Sequence, residues 1–203
     1  MYAFKGTESD DLLKEQRFLT HSLDNMYDLY LSVLALLTEL HKKSKDYNEK
    51  IQNKIVKSEA DKNLSLKFQE NQLLHLISSN TLLQEAVSSS KLNFWHLDFE
   101  YVDIIFKEII KSDLYKFYTA ETETSFKKDK HFIIDVFTEI IAPNEKLYEF
   151  FEDKKLTWID DLPVVNTAIL RILRKLKLTS PETALLPDLY KDEEDLEFAK
   201  DLL

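Results

Sequence analysis

The chain has 203 residues, a formal net charge of −10 from 37 acidic and 27 basic side chains, and 44% hydrophobic content, enough for one domain or two small ones. Its single glycine, Gly6, excludes phosphate-cradling loops, dinucleotide fingerprints, nucleophile elbows and Asn-Gly hairpins, so the fold class reads as all-α. The lack of cysteine excludes disulfides and thiolate chemistry, and no apolar run reaches the length of a membrane span; the acidic balance leaves room only for a local basic element toward nucleic acid.

After "MYAFKG", Gly6 can end a short helix, and Ser9 or Asp10 can cap the next. From there to about Tyr47, Leu19, Leu23, Met26, Tyr30, Val33 and Leu37 recur at alternating spacings of four and three. That period places one apolar seam on a long helix, and it fits the core-facing stripe of a bundle better than a coiled-coil partner. Residues 42–72 are lysine-rich and weakly apolar, and read as an exposed helix or connection with a solvated charge run. "NQLLHLISSNTLLQEAVSSS" reads as a helix that fades into a loop at Ser88–Ser90. The expected organisation is therefore an N-terminal helical region with a lysine-rich insertion over 1–92 and a helical bundle over 93–203.

"FEYVDIIFKEIIKSDLYKFY" places Phe99, Val102, Ile105, Phe106, Ile109 and Ile110 on one helical face. A further helix is predicted from Asp129 to Ile141. Pro143 interrupts it, and the chain continues helically through Leu147, Tyr148, Phe150 and Phe151. In "WIDDLPVVNTAILRILRKLKL" (158–178), Asp160 and Asp161 sit where an N-cap carboxylate belongs, with Pro163 in the first turn. Val165, Ala168, Ile169, Ile172, Leu173 and Leu176 follow helical spacing. On a helical wheel Arg174 lies opposite that stripe and Arg171 and Lys177 flank it. The basic cluster, which includes Lys175, thus faces solvent at the negative end of the helix dipole.

Asp192, Glu193, Glu194 and Asp195 read as the start of a last helix, and the stop at "EFAKDLL" reads as a cut. "DKHFIIDVF" (129–137) and "DLEFAKDLL" (195–203) share Asp129/Asp195, Phe132/Phe198 and Asp135/Asp201, as if a unit begun near 129 starts again near 195. The histidines His21, His41, His75, His96 and His131 show no metal-ligand spacing. Carboxylate pairs fall at helix starts or on exposed faces, and Trp95 and Trp158 read as packing anchors. Neither intrinsic catalysis nor a metal or cofactor is expected.

"DLPVVNTAILRILRKL" resembles the central core helix of the NusB family of transcription antitermination factors, in which an A–[IV]–L–R–[IL] run is typical. Upstream, "FIIDVFTEII", then "NEKLYEFF", then Trp158 follow the family's order, and "YAFKGTESDD" resembles the end of its first helix. The 45–95 region resembles the insertion carried by longer versions from the Bacteroidetes lineage.

The resemblance implies NusB-like helical bundles with a long N-terminal helix and a helical insertion. It implies a cytoplasmic RNA-binding adaptor, not an enzyme, with no cofactor and no membrane. Its partners would be boxA RNA, NusE (a small-subunit ribosomal protein) and the RNA polymerase antitermination complex. Carried over by residue, Tyr2 and Asn166 fall near the partner-facing surface, and Lys5 and Arg171 are candidate RNA contacts. There are two departures. The family's arginine-rich segment would precede Tyr2, and the family's P–x–x–V–x–I–N–E segment is replaced by "TSPETALLPDLYKDEEDLEFAKDLL". An arginine-rich helix is therefore expected upstream of Tyr2, and a second signature helix beyond Leu203. The 161–178 helix is then either the functional unit or its duplicate. Two alternatives stand beside this reading: the NusB-like N-terminal domain of an rRNA cytosine methyltransferase, and a helical scaffold that uses the Leu19–Leu37 seam without RNA.

Overall fold

A computed structural model describes residues 12–56, 58 and 65–186, and every regular element among them is helical. Helix α1 (Leu12–Gln52) has 41 residues and is about 60 Å long at 1.5 Å per residue. The expected seam is only part of what it buries. Every residue from Leu29 to Leu37 is buried, the polar Ser32 included. A helix apolar all round belongs inside a core, and here α2, α3, α4 and α8 surround it. The seam therefore faces this chain's own helices from Tyr30 to Leu37. The region after residue 42 also departs from its expected exposure, because α1 runs on to Gln52 with Ser44, Asn48 and Ile51 buried. Phe68, farther along the same lysine-rich stretch, is buried between the rings of Phe106 and Phe132.

The helix expected over 71–90 is two. Helices α2 (Gln72–Ser78) and α3 (Thr81–Ser89) each begin at an asparagine cap. The Asn71 side chain accepts from the Leu74 amide at 3.0 Å, and that of Asn80 from the Leu83 amide at 2.8 Å. Lys91, at φ 56°, turns the chain into a short 3-10 turn at Asn93–His96, where the Trp95 indole donates to the Ser32 carbonyl at 2.9 Å.

Helix α4 (Phe99–Lys111) buries Val102, Ile105, Phe106 and Ile109 as the pattern predicts. Phe99 departs from it: as the first residue of the helix it lies at an open end and is 62% exposed. Ser112, extended at ψ 155°, ends α4 and caps α5 (Asp113–Ala120), dividing what reads in sequence as one helix.

Helix α6 (Phe126–Val136) starts three residues before the expected Asp129, at the cap Ser125, and continues as a π turn over Phe137–Ile141. Asn144 then caps α7 (Glu145–Lys154). Helix α8 (Trp158–Lys175) begins two residues before Asp160. Thr157 holds the cap position without a side-chain bond, Asp160 and Asp161 lie inside the first turn, and Pro163 is an interior residue. The Trp158 indole fixes that start by donating to the Asn25 carbonyl at 2.9 Å. A last 3-10 turn, Glu182–Leu185, is tied to α1 by the Tyr30 hydroxyl, which donates to the Leu185 carbonyl at 2.7 Å. One hydrophobic cluster runs through Leu29, Leu73, Trp95, Phe150, Ile169 and Leu185, so residues on both sides of position 92 share one core.

Candidate nucleic-acid interface

Two buried polar groups, His41 and Asp129, are already used in holding helices together. His41 is 1% exposed on α1. Its Nε2 lies 2.8 Å from the Gln69 carbonyl, which can only accept, so Nε2 carries the proton. Its Nδ1 then accepts from the Ser78 hydroxyl at 2.7 Å. Burial pushes the His41 pKa down, which keeps the ring neutral.

Asp129 on α6 is equally enclosed. Its Oδ1 accepts from the Tyr118 hydroxyl at 2.8 Å and its Oδ2 from the Gln72 amide at 2.9 Å, and Asn71 donates to its carbonyl at 3.1 Å. Burial, reinforced by the adjacent Asp129 carboxylate, raises the Tyr118 phenol well above its usual range. Lys67 crosses the Tyr118 ring at 4.6 Å and donates to the Tyr118 and Glu121 carbonyls at 2.7 and 3.0 Å.

The described residues line cavities open to solvent. One, about 460 Å³, is lined by Glu108, Glu139, Asn144 and Lys146 among others. Another, about 160 Å³, lies between α1 and α4 against Tyr47, Phe106 and Ile110. Neither holds a desolvated carboxylate or histidine. Among the described residues no group of three His, Asp or Glu is arranged to hold a metal ion. Nor is any helix among them long and apolar enough to cross a membrane.

The surface feature that these groups do not explain is the outer face of α8. Its stripe of Leu162, Val165, Ile169 and Leu173 is buried, while Arg171, Arg174, Lys175 and Lys177 are exposed, as the wheel predicts. None of the four has an acidic partner among the described residues. Elsewhere Lys42, Lys43, Lys116, Lys128, Lys146 and Lys154 each meet a carboxylate. The chain contains three arginines, and two of them are Arg171 and Arg174.

Lys130, 44 residues upstream of Arg174, comes across from α6. Its ammonium donates to the Arg174 carbonyl at 3.0 Å and the Leu176 carbonyl at 3.1 Å, with the Phe126 ring 5.7 Å away. Lys127, exposed and without an acidic partner among the described residues, lies one turn earlier on the same side of α6. The Lys177 amide donates to the Ser180 hydroxyl and the Ser180 amide to the Lys177 carbonyl, both at 2.9 Å, which closes the turn beyond α8.

Of the residues singled out in the sequence, Arg171 lies on this basic face. Asn166 lies at the edge of the buried stripe, 9% exposed, with no side-chain hydrogen bond among the described residues. Tyr2 and Lys5 lie outside the described residues, as do Asp192–Asp195 and the second copy of the repeat. Sequence reasoning missed Lys127 and Lys130; the lysine-rich helix start "FKKDKH" was the available signal. Compared with models of known protein families, with curated proteins and with solved structures, the chain matches none of them.

Proposed function

We propose that this chain is an RNA-binding adaptor of the NusB type, acting with NusE on boxA RNA to regulate ribosomal RNA transcription. One observation carries the reading. The helix that bears the NusB-like run "AILRIL" is buried along Val165, Ile169 and Leu173, yet it presents Arg171 and Arg174 outward without acidic partners among the described residues. A helix with this division serves at once as core element and as phosphate contact.

The adaptor performs no bond chemistry. Rigid helices hold cations where RNA phosphates release their counterions, and a neighbouring face engages the protein partner. Asn166 suits the second role, because its side-chain amide makes no hydrogen bond among the described residues. The test is co-purification of this chain with NusE, followed by mobility shift on boxA RNA and on a permuted sequence of the same composition. The pair is expected to retard boxA RNA in preference to the permuted RNA. Failure to associate with NusE, together with equal retardation of both RNAs, would refute the adaptor reading.

A further inference from the structure

We propose that the open face formed where α6 meets the C-terminal end of α8 is a phosphate-backbone site for single-stranded RNA. Arg171, Arg174, Lys175 and Lys177 supply it from one side, and Lys127 and Lys130 from the other. The proposal rests on the RNA-binding reading above and gives it a place and a chemistry.

The first argument is charge placement. Arg171 stands three and four residues from Arg174 and Lys175, spacings that put the side chains side by side on a helix. Like charges at those spacings destabilise a helix, and no carboxylate relieves them among the described residues. In a chain with 37 acidic against 27 basic residues, none of Arg171, Arg174, Lys175 and Lys177 pairs with an acid among the described residues. A bound anion removes the repulsion. Arginine is the better match for phosphate because its planar fork donates two parallel hydrogen bonds.

The second argument is Lys130. The end of an α-helix carries partial negative charge on its free carbonyls, which repels phosphate. Lys130 occupies two of the carbonyl oxygens at this end. A helix terminus that would turn an anion away is thereby neutralised and held in one geometry, so that Arg174 and Lys177 project from a fixed turn.

The dimensions select the ligand. From Arg171 to Lys175 the helical part of the ladder spans about 6 Å at helical rise, and Lys177 lies just beyond the helix end. That length meets a few phosphates of one strand and does not bridge the two strands of a duplex groove. The six side chains named include no base-stacking aromatic, so the contact is to backbone and is neutral to sequence.

The test uses the full chain and fluorescence anisotropy with labelled single-stranded RNA, both boxA and a permuted sequence, across a salt titration. Removing three phosphate contacts reduces the slope of log K against log salt by about 2 for a single strand. The triple variant R171Q/R174Q/K175Q is therefore expected to show that flatter slope and at least a tenfold loss of affinity for both RNAs. A charge-matched control, K42Q/K116Q/K146Q, removes lysines already paired with carboxylates and should retain most of the affinity. K130M should weaken binding several-fold and K130R restore it, because arginine can cover the same carbonyls. Circular dichroism confirms that each variant is folded.

Equal loss in the control and the triple variant would overturn the site, and so would an unchanged slope in the triple variant. Absence of RNA binding by the wild-type chain would also overturn it, as would stronger binding to phosphatidylglycerol vesicles than to RNA. The outcomes separate the two proposals. Binding to this face without NusE association or boxA preference supports the site and refutes the adaptor. NusE-dependent boxA preference that survives the triple variant does the reverse.

Discussion

Replacing Asp129 with alanine perturbs a buried carboxylate that joins α6 to α2 and α5. The carboxylate is 3% exposed and accepts from two donors, the Tyr118 hydroxyl at 2.8 Å and the Gln72 amide at 2.9 Å. Hydrogen bonds to a charged group contribute about 1.5–3 kcal/mol each. The Tyr118 hydroxyl retains the Lys67 carbonyl at 3.1 Å, so its loss lies at the low end of that range. The Gln72 amide, at the first turn of α2, keeps no replacement among the described residues. The two losses sum to about 3–5 kcal/mol, or a fall in melting temperature of about 6–20 °C for a chain of this size.

Asp129→Asn should cost less, about 1–2 kcal/mol. Its remaining oxygen can face Gln72, while its amide donates to a Tyr118 hydroxyl that now points to Lys67. Tyr118→Phe should cost about 1.5–3 kcal/mol alone and less in the Asp129→Ala background, because the bond to the carboxylate is already gone. Guanidinium unfolding followed by far-UV circular dichroism measures all four variants. A cost below about 1 kcal/mol for Asp129→Ala, or strict additivity in the double variant, would refute the reasoning.

Two further outcomes follow from buried groups on α1 and α8. His41 has a folded pKa below its ordinary value of 6.5, so the unfolded chain binds the extra proton first. Stability is then full above 6.5 and declines as pH falls through that value toward the depressed one. Guanidinium midpoints measured between about pH 5 and 7 should show this decline, and His41→Gln should flatten it; an unchanged profile would show that the ring is not held neutral. Asn166→Leu replaces an amide without a partner among the described residues by an apolar side chain of similar size. It should raise stability by about 1 kcal/mol in the same assay while weakening association with NusE. A loss of stability would mean that the amide is satisfied in the folded chain.

The parts of the fold that were legible in the sequence are those set by local period. The buried faces of α4 and α8 follow apolar residues at helical spacing, and the exposure of Arg171 and Arg174 follows from the same wheel. The departures concern where helices stop and start, the burial within the lysine-rich 42–72 stretch, and the core shared across position 92. The break between α2 and α3 was written in Asn71 and Asn80, but a capping asparagine inside an apolar run is outvoted by the run unless each cap is weighed separately. The early start of α8 rests on an indole reaching a carbonyl on α1, 133 positions away, against which the local signal of Asp160 and Asp161 has no force. The candidate site divides in the same way. One helix supplies its arginines and was readable, whereas Lys130 joins it only because α6 packs beside α8, and no sequence spacing encodes that adjacency.

The contact between the Tyr30 hydroxyl and the Leu185 carbonyl closes a loop of 155 positions around the most buried part of α1. A ribosome adding about 5–20 residues per second takes on the order of 8–30 s to make the second partner after the first. Through that interval the girdle from Leu29 to Leu37 lacks α8, one of the elements that surround it in the finished fold. Helical proteins built from neighbouring hairpins can complete their cores as they are made. This chain places the fully buried stretch Leu29–Leu37 early and a main cover late, so its burial during synthesis is governed by the pace of translation and by whatever shields a nascent apolar segment.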